Sequence, residues 1–210
     1  MTFKYRGTAT DIALRLLDIA IGDETYATVL GTLGAAVRKV SARIDAAGDP
    51  DADADYEIEL IENMLGVAYV VCQVQITAIV QAALGVRKAA DPSFADLSFK
   101  AYQIEAGNLR RLGPVFKATY SKLEVLWQLG NYFKHRDEGS NAAWADPQHH
   151  EKWTVPVIVA AGLASGSTGN VRTGAEALGN KSFTNMAVFE QIIRDWSEDV
   201  RKRIRDDLGR

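Results

Sequence analysis

Four side chains in the stretch "LWQLGNYFKHRDEGS", Asn131, Lys134, His135 and Arg136, are of types that can move a proton or hold a phosphate. The apolar spacing before them predicts a helix over about Val115 to Lys134, continuing into His135. On such a helix Trp127, Asn131 and His135 fall in one line at successive i, i+4 steps, with Lys134 adjacent. An imidazole in a last helical turn is readily kept protonated by the helix dipole and can serve as acid or base near neutral pH. Asn131 is placed to orient it or to hold a phosphate oxygen, and Lys134 or Arg136 to supply positive charge. RNA cleavage through the 2′-OH needs this equipment and neither metal nor cofactor. Trp127, Tyr132, Asp137 and Glu138 flank the set as candidate binding residues. An ordinary helix end explains the same residues differently: the dipole favours cations in the last turn, and the acids follow in the next turn.

Three other patterns carry less. In "DADADYEIELIE", Asp51, Asp53, Asp55, Ile58 and Glu62 occupy positions 1, 3, 5, 8 and 12 of a calcium-binding EF-hand loop, but Tyr56 stands where that loop needs glycine. An acidic linker and helix cap is the simpler reading. "GAEALGNKS", residues 174–182, has one residue too many for a phosphate-binding loop, because Asn180 displaces Lys181. His149, His150 and Glu151 lack a third ligand at helical spacing, so no metal site is expected from them. Among the tryptophans, Trp127 and Trp196 lie on apolar stripes that suit a core, whereas Trp144 and Trp153 fall in a glycine- and alanine-rich region.

These residues need elements to position them. Periodicity places helices at 9–21, at about 24–47 after a cap at Asp23, at 55–85, at 97–112 and at 115–134. A last, strongly amphipathic helix carries Phe189, Ile192, Ile193, Trp196, Val200 and Ile204 on one side. The third would be the spine, about 45 Å long, along the line Ile61, Leu65, Ala68, Cys72, Ile76, Ile79 and Ala83. Asn63 to Val86 contains no charge, which is long enough to span a bilayer. Gln73, Gln75, Thr77 and Gln81 interrupt it, however, and a helix buried on most sides is the better account. Residues 139–182 read as an irregular insertion, with "TVPVIVAAG" a short strand or extended segment.

The expectation is therefore one all-α domain over residues 1–210, a bundle of five or six helices. Its core helices would cover about 24–138 and 184–208. With 210 residues, 47% hydrophobic and 24% charged, the chain can bury a real core. A net charge of −3 argues against a broad cationic surface, though a local patch can still meet a polyanion. Cys72 is the single cysteine, which excludes an intramolecular disulfide. "MTFKYRGTAT" lacks the apolar core of a signal peptide, so a cytoplasmic protein is expected.

A long helical bundle with a later helix ending in "NYFKH" resembles the HEPN superfamily (higher eukaryotes and prokaryotes nucleotide-binding domains). The resemblance covers about residues 24–138 as a helix pattern. It implies a homodimeric, metal-independent endoribonuclease of a toxin–antitoxin or phage-defence setting, with two copies of this helix forming one site. The family signature is an Arg, commonly followed by a polar residue such as Asn, then a His four to six residues after the Arg. Asn131 and His135 match the polar and His positions, and Gly130 stands where the Arg should be. Lys134 or Arg136 would have to replace that cation. The same resemblance also admits a non-catalytic dimerisation or interaction module that binds a partner protein.

Overall fold

The computed structural model describes residues 8–47, 54–91, 93–94, 98–117, 119–136 and 151–209. It is an all-α bundle whose helices are α1 (Ala9–Gly22), α2 (Thr25–Ala47), α3 (Ala54–Ala90), α4 (Phe99–Arg110), α5 (Lys122–His135), α6 (Glu151–Ala160), α7 (Asn170–Ala177) and α8 (Ala187–Asp207). A two-stranded antiparallel ribbon, β1 (Val115–Lys117) and β2 (Tyr120–Ser121), joins α4 to α5.

Helix α3 is the spine, against which α1, α2, α4, α5, α7 and α8 pack. At 37 residues it is longer than the sequence suggested, about 55 Å. Arg87 and Lys88 in its last turn favour that extension past Gly85 by complementing the dipole. Every residue on the line from Ile61 to Ala83 is buried. By length and composition the helix could cross a membrane, but here it forms the core. Two of the polar residues that break its apolar run donate from their side-chain amides there, although Gln73 Oε1 is buried without a partner. Gln75 Nε2 donates to the carbonyls of Ala20 (2.7 Å) and Asp23 (3.4 Å) where α1 ends. Gln73 Nε2 donates to Trp127 O (2.6 Å) and Asn131 Oδ1 (2.9 Å) on α5. Buried donors of this kind are costly unless met.

Two expectations required correction. The helix predicted from Val115 begins seven residues later, because Ser121 caps it by accepting from Glu124 N (3.0 Å). Val115–Lys117 instead pair as a strand, as β-branched and aromatic side chains favour. The described part of the supposedly irregular insertion, residues 151–182, contains two helices, α6 and α7. "TVPVIVAAG" contributes to α6, not to a strand, despite Pro156 inside it. Val157 and Ile158 of α6, with Val171 and Ala175 of α7, are buried in the common core. The β-branched run imitates a strand, but burial on the bundle decides the outcome. Helix α8 matches its predicted stripe: Phe189, Ile192, Ile193, Trp196, Val200 and Ile204 are all buried.

Candidate functional site

Helices α4, α5 and α6 enclose a cleft of about 590 Å³, within the ~300–1,000 Å³ range of small-ligand sites. Helix α4 contributes Lys100, Gln103, Ile104, Gly107, Asn108 and Arg110 to its wall, with Arg111 just beyond. The α5 wall is Glu124, Trp127, Gln128 and Asn131, and Thr154 closes the α6 side.

Both walls are held firmly. Trp196 Nε1 donates to Leu109 O (2.8 Å), and Ser121 Oγ donates to Arg110 O (3.0 Å), fixing the end of α4 against α8 and the start of α5. Arg87 ties α4 to α8 through Glu105 (2.7 Å) and Asp207 (2.6 Å). On the floor Gln128 Oε1 accepts from Asn131 Nδ2 (2.9 Å) and Thr154 Oγ1 (2.8 Å). Asn131 Oδ1 is held by Gln73, so the amides form one chain from α3 through α5 to α6. Such a network fixes side-chain orientation before any ligand arrives.

What the walls leave open is more informative. The Arg110 guanidinium lies 4.6 Å over the Trp127 ring, in cation–π geometry. Among the described residues no hydrogen bond or ion pair reaches it. Burial disfavours its charge, and Glu124 nearby favours it. Glu124 makes a loose ion pair with Arg111 (Nε to Oε1, 3.6 Å), while its Oε2 is buried with no hydrogen-bond partner. Burial pushes its carboxyl above the usual carboxylate range, against the opposing pull of Arg111 and Arg110. The cleft thus presents a donor group that no protein partner meets, beside a carboxylate whose Oε2 is buried from solvent and unpartnered.

The residues singled out from sequence are only partly brought together. Trp127 and Asn131 line the cleft, so Trp127 forms a wall and is not a fully buried core residue. His135 is exposed one turn beyond Asn131, about 12 Å along the helix from Trp127. Lys134 is also exposed. Arg136 turns elsewhere, its Nη2 donating to Asn63 Oδ1 (2.5 Å) and its guanidinium lying 4.4 Å over Phe133. Tyr132 faces α7, its hydroxyl accepting from Asn170 Nδ2 (3.1 Å). Asp137, Glu138, Trp144, His149 and His150 lie outside the described residues, as do Asp51 and Asp53.

Gly130 has a packing role that spacing could not disclose. A Cβ there would lie 2.4 Å from Gln73 Cδ, so the position that the HEPN pattern gives to arginine is a close contact of α5 with α3. Gly66 does the same for Phe133, at 2.0 Å. Sequence reasoning missed Arg110 and Glu124 altogether. Their one signal was "SKLE", a helix-start pattern followed closely by an aromatic stripe.

The remaining motifs resolve into structure. Helix α3 already runs at Asp55, so Asp55 and Glu62 lie about 10 Å apart along it and cannot share one loop. Glu62 Oε1 accepts from Arg172 Nε at 2.9 Å. "GAEALGNKS" begins in α7 and ends it, with Gly179 at φ 102° and Asn180 N donating to Ala175 O (2.9 Å), a helix C-cap. Among the described residues no group of three His, Cys, Asp or Glu could hold a metal. Compared with known proteins, the chain matches no family model, no curated protein and no solved structure.

Proposed function

We propose that the protein is a HEPN-like helical module that binds single-stranded RNA along the α4–α5 cleft without cleaving it. The observation that carries this reading is the Arg110 guanidinium, stacked on Trp127 at a cleft wall and unmet by any hydrogen bond or ion pair among the described residues. Lys100 and Arg111 add positive charge on the same wall. A cation beside an aromatic face suits a phosphate and its neighbouring base. On α5 the lining residues Trp127 and Asn131 lie one turn apart, so a strand can run between them within the cleft.

Geometry weighs against cleavage within one protomer. His135 stands about 12 Å along the helix from Trp127, Asn131 is held between Gln73 and Gln128, and Arg136 is drawn away toward Asn63. Gly130 leaves no room for the signature cation. One observation keeps a ribonuclease as the second reading: His135 and Lys134 are exposed together in the last turn of α5, where a second copy could complete a site.

The test is fluorescence anisotropy with labelled mixed-sequence RNA in EDTA, followed by analysis of the RNA ends. Wild type is expected to bind and Arg110→Ala to bind roughly tenfold more weakly, with His135→Ala unchanged and the RNA intact. Absence of binding would sink the module reading. Cleavage to 2′,3′-cyclic phosphate ends, lost in His135→Ala, would replace it with the ribonuclease.

A further inference from the structure

We infer that the solvent face of α3 is a self-complementary docking surface, on which a second copy of this chain packs antiparallel about a two-fold axis beside Val74.

A helix buried on its inner side ordinarily carries charge on its outer side. The outer side of α3 does not, because Asn63 to Val86 is free of charge in a chain that is 24% charged. Val67 and Val74, one heptad apart, are 44% and 67% exposed. Thr77, Ala78 and Gln81 continue the uncharged face, all exposed. Thr77 Oγ1 already donates to Gln73 O (2.7 Å), so covering it leaves no donor unmet. Tyr56, 66% exposed, lies on the line of Val74 about five turns earlier. One exposed valine needs no explanation. A whole helix face without charge, with an aromatic residue at one end, has the composition of an interface centre, and apolar residues at seven-residue spacing form the seam of a helix pair.

The ends of the face say what covers it. Glu59 and Lys88 bound the uncharged stretch on the same side of α3, and both are exposed. Among the described residues neither makes a hydrogen bond or an ion pair. They stand about 44 Å apart along the helix, too far to pair within one copy. Laid antiparallel against a second α3, with the axis beside Val74, each Glu59 comes opposite the partner's Lys88. The charges then match at both ends, and the two helix dipoles oppose each other. A parallel pair would instead set like charges together at each end. A face of this length and about 10 Å in width covers on the order of 900 Å² over both copies. That is the size of a weak, reversible interface, so dimerisation in the micromolar range is expected.

This dimer differs from the one that the HEPN pattern implies. Phe133 packs over Gly66, so the end of α5 lies beside the first half of α3. The antiparallel axis therefore leaves the two copies of His135 about 20 Å apart along the helices. No shared histidine site is assembled, and the contact is independent of RNA binding in the cleft.

The experiment is sedimentation velocity of the full chain from about 1 to 500 μM, a range that brackets a weak interface, with a thermal melt of each variant. Wild type is expected to pass from monomer to dimer as concentration rises. Val74→Glu sets two carboxylates against each other at the axis and should weaken the dimer about a hundredfold or more. Glu59→Lys should weaken it about threefold, and adding Lys88→Glu should restore it. If Val74→Glu melts early, the charge reversal carries the test, since both of its positions are exposed. A chain that stays monomeric throughout overturns the inference, and flotation of that monomer with phosphatidylcholine vesicles would give the face to a lipid surface instead. A dimer indifferent to Val74→Glu overturns it by placing the contact elsewhere. A dimer that the double charge reversal fails to restore overturns the antiparallel pairing.

Discussion

Helix α5 has one face packed without slack and another left chemically open. Leu126, Leu129 and Gly130 are buried, and on the side toward α3 the Gln73 side chain lies over Gly130 and the Phe133 side chain over Gly66, so neither glycine has room for a Cβ. Toward α4 it presents Glu124, Trp127 and Gln128, whose polar atoms are only partly met. The same fourteen residues thus do two jobs. Each face also keeps one buried acceptor without a partner, Gln73 Oε1 in the seam and Glu124 Oε2 beside the cleft, and such a group is a cost the fold has tolerated.

The largest expected effect comes from forcing the packed face to carry the open face's chemistry. Gly130→Arg would install the HEPN arginine where a Cβ already meets Gln73. It should destabilise by about 3 kcal/mol or more, measured by urea unfolding, and should create no ribonuclease activity. If the variant were as stable as wild type, α5 would not be seated on α3 in this way.

That result bears on what the sequence could disclose. The all-α class, the buried line of α3 and the stripe of α8 were legible because each repeats over many turns, and burial enforces the period. Short elements were not. The ribbon at Val115–Ser121 and helix α6 are too brief for period to outweigh β-branched composition, and tertiary packing settles both. The site was half legible: Trp127 and Asn131 sit on one long helix. Arg110 and Glu124 belong to different helices, held together by the bonds of Ser121 and Trp196 and joined by the ribbon, so no spacing along the chain relates them. Gly130 looked like a missing catalytic residue because a close approach of two helices leaves no mark in one strand of sequence.

Next in size is the open face itself. Trp127→Ala removes the platform under Arg110 and should weaken RNA binding by about 1–3 kcal/mol, read by anisotropy. Being half-buried, the ring should matter less to unfolding than Gly130 does. A variant that unfolds readily while binding normally when folded would mean that Trp127 is core after all.

The contrast can then be sharpened between two helix starts with the same kind of pattern. At α1 the capping box is closed: Thr8 Oγ1 accepts from Asp11 N (3.2 Å) and Asp11 Oδ2 accepts from Thr8 N (3.2 Å). At α5 Ser121 Oγ accepts from Glu124 N (3.0 Å), and the Ser121 N–H favours the Glu124 carboxylate in return, yet Oε2 stays buried without a partner. Thr8→Ala should cost about 1 kcal/mol by chemical denaturation and leave RNA binding unchanged. A loss of binding in that variant would place the ligand far from the cleft.

The smallest effect is the most diagnostic, because its sign changes with the account given of Glu124. Burial raises the carboxyl's pKa in the folded chain above its ordinary value of 4.5. A group raised in this way supports the fold while protonated, and that support is lost as pH rises through the folded pKa. Glutamine does not titrate. Wild type and Glu124→Gln should therefore differ least below about pH 4.5, and the glutamine variant should melt higher as pH approaches neutrality. The gap should stay small, since Arg111 and Arg110 partly offset the burial. Gaining stability while losing RNA binding would show that the carboxylate is kept for binding. The opposite sign, with wild type more stable at neutral pH, would mean that the two arginines more than compensate for its burial. Glu124 would then be a structural ion-pair residue, and the open face of α5 would be less open than its geometry implies.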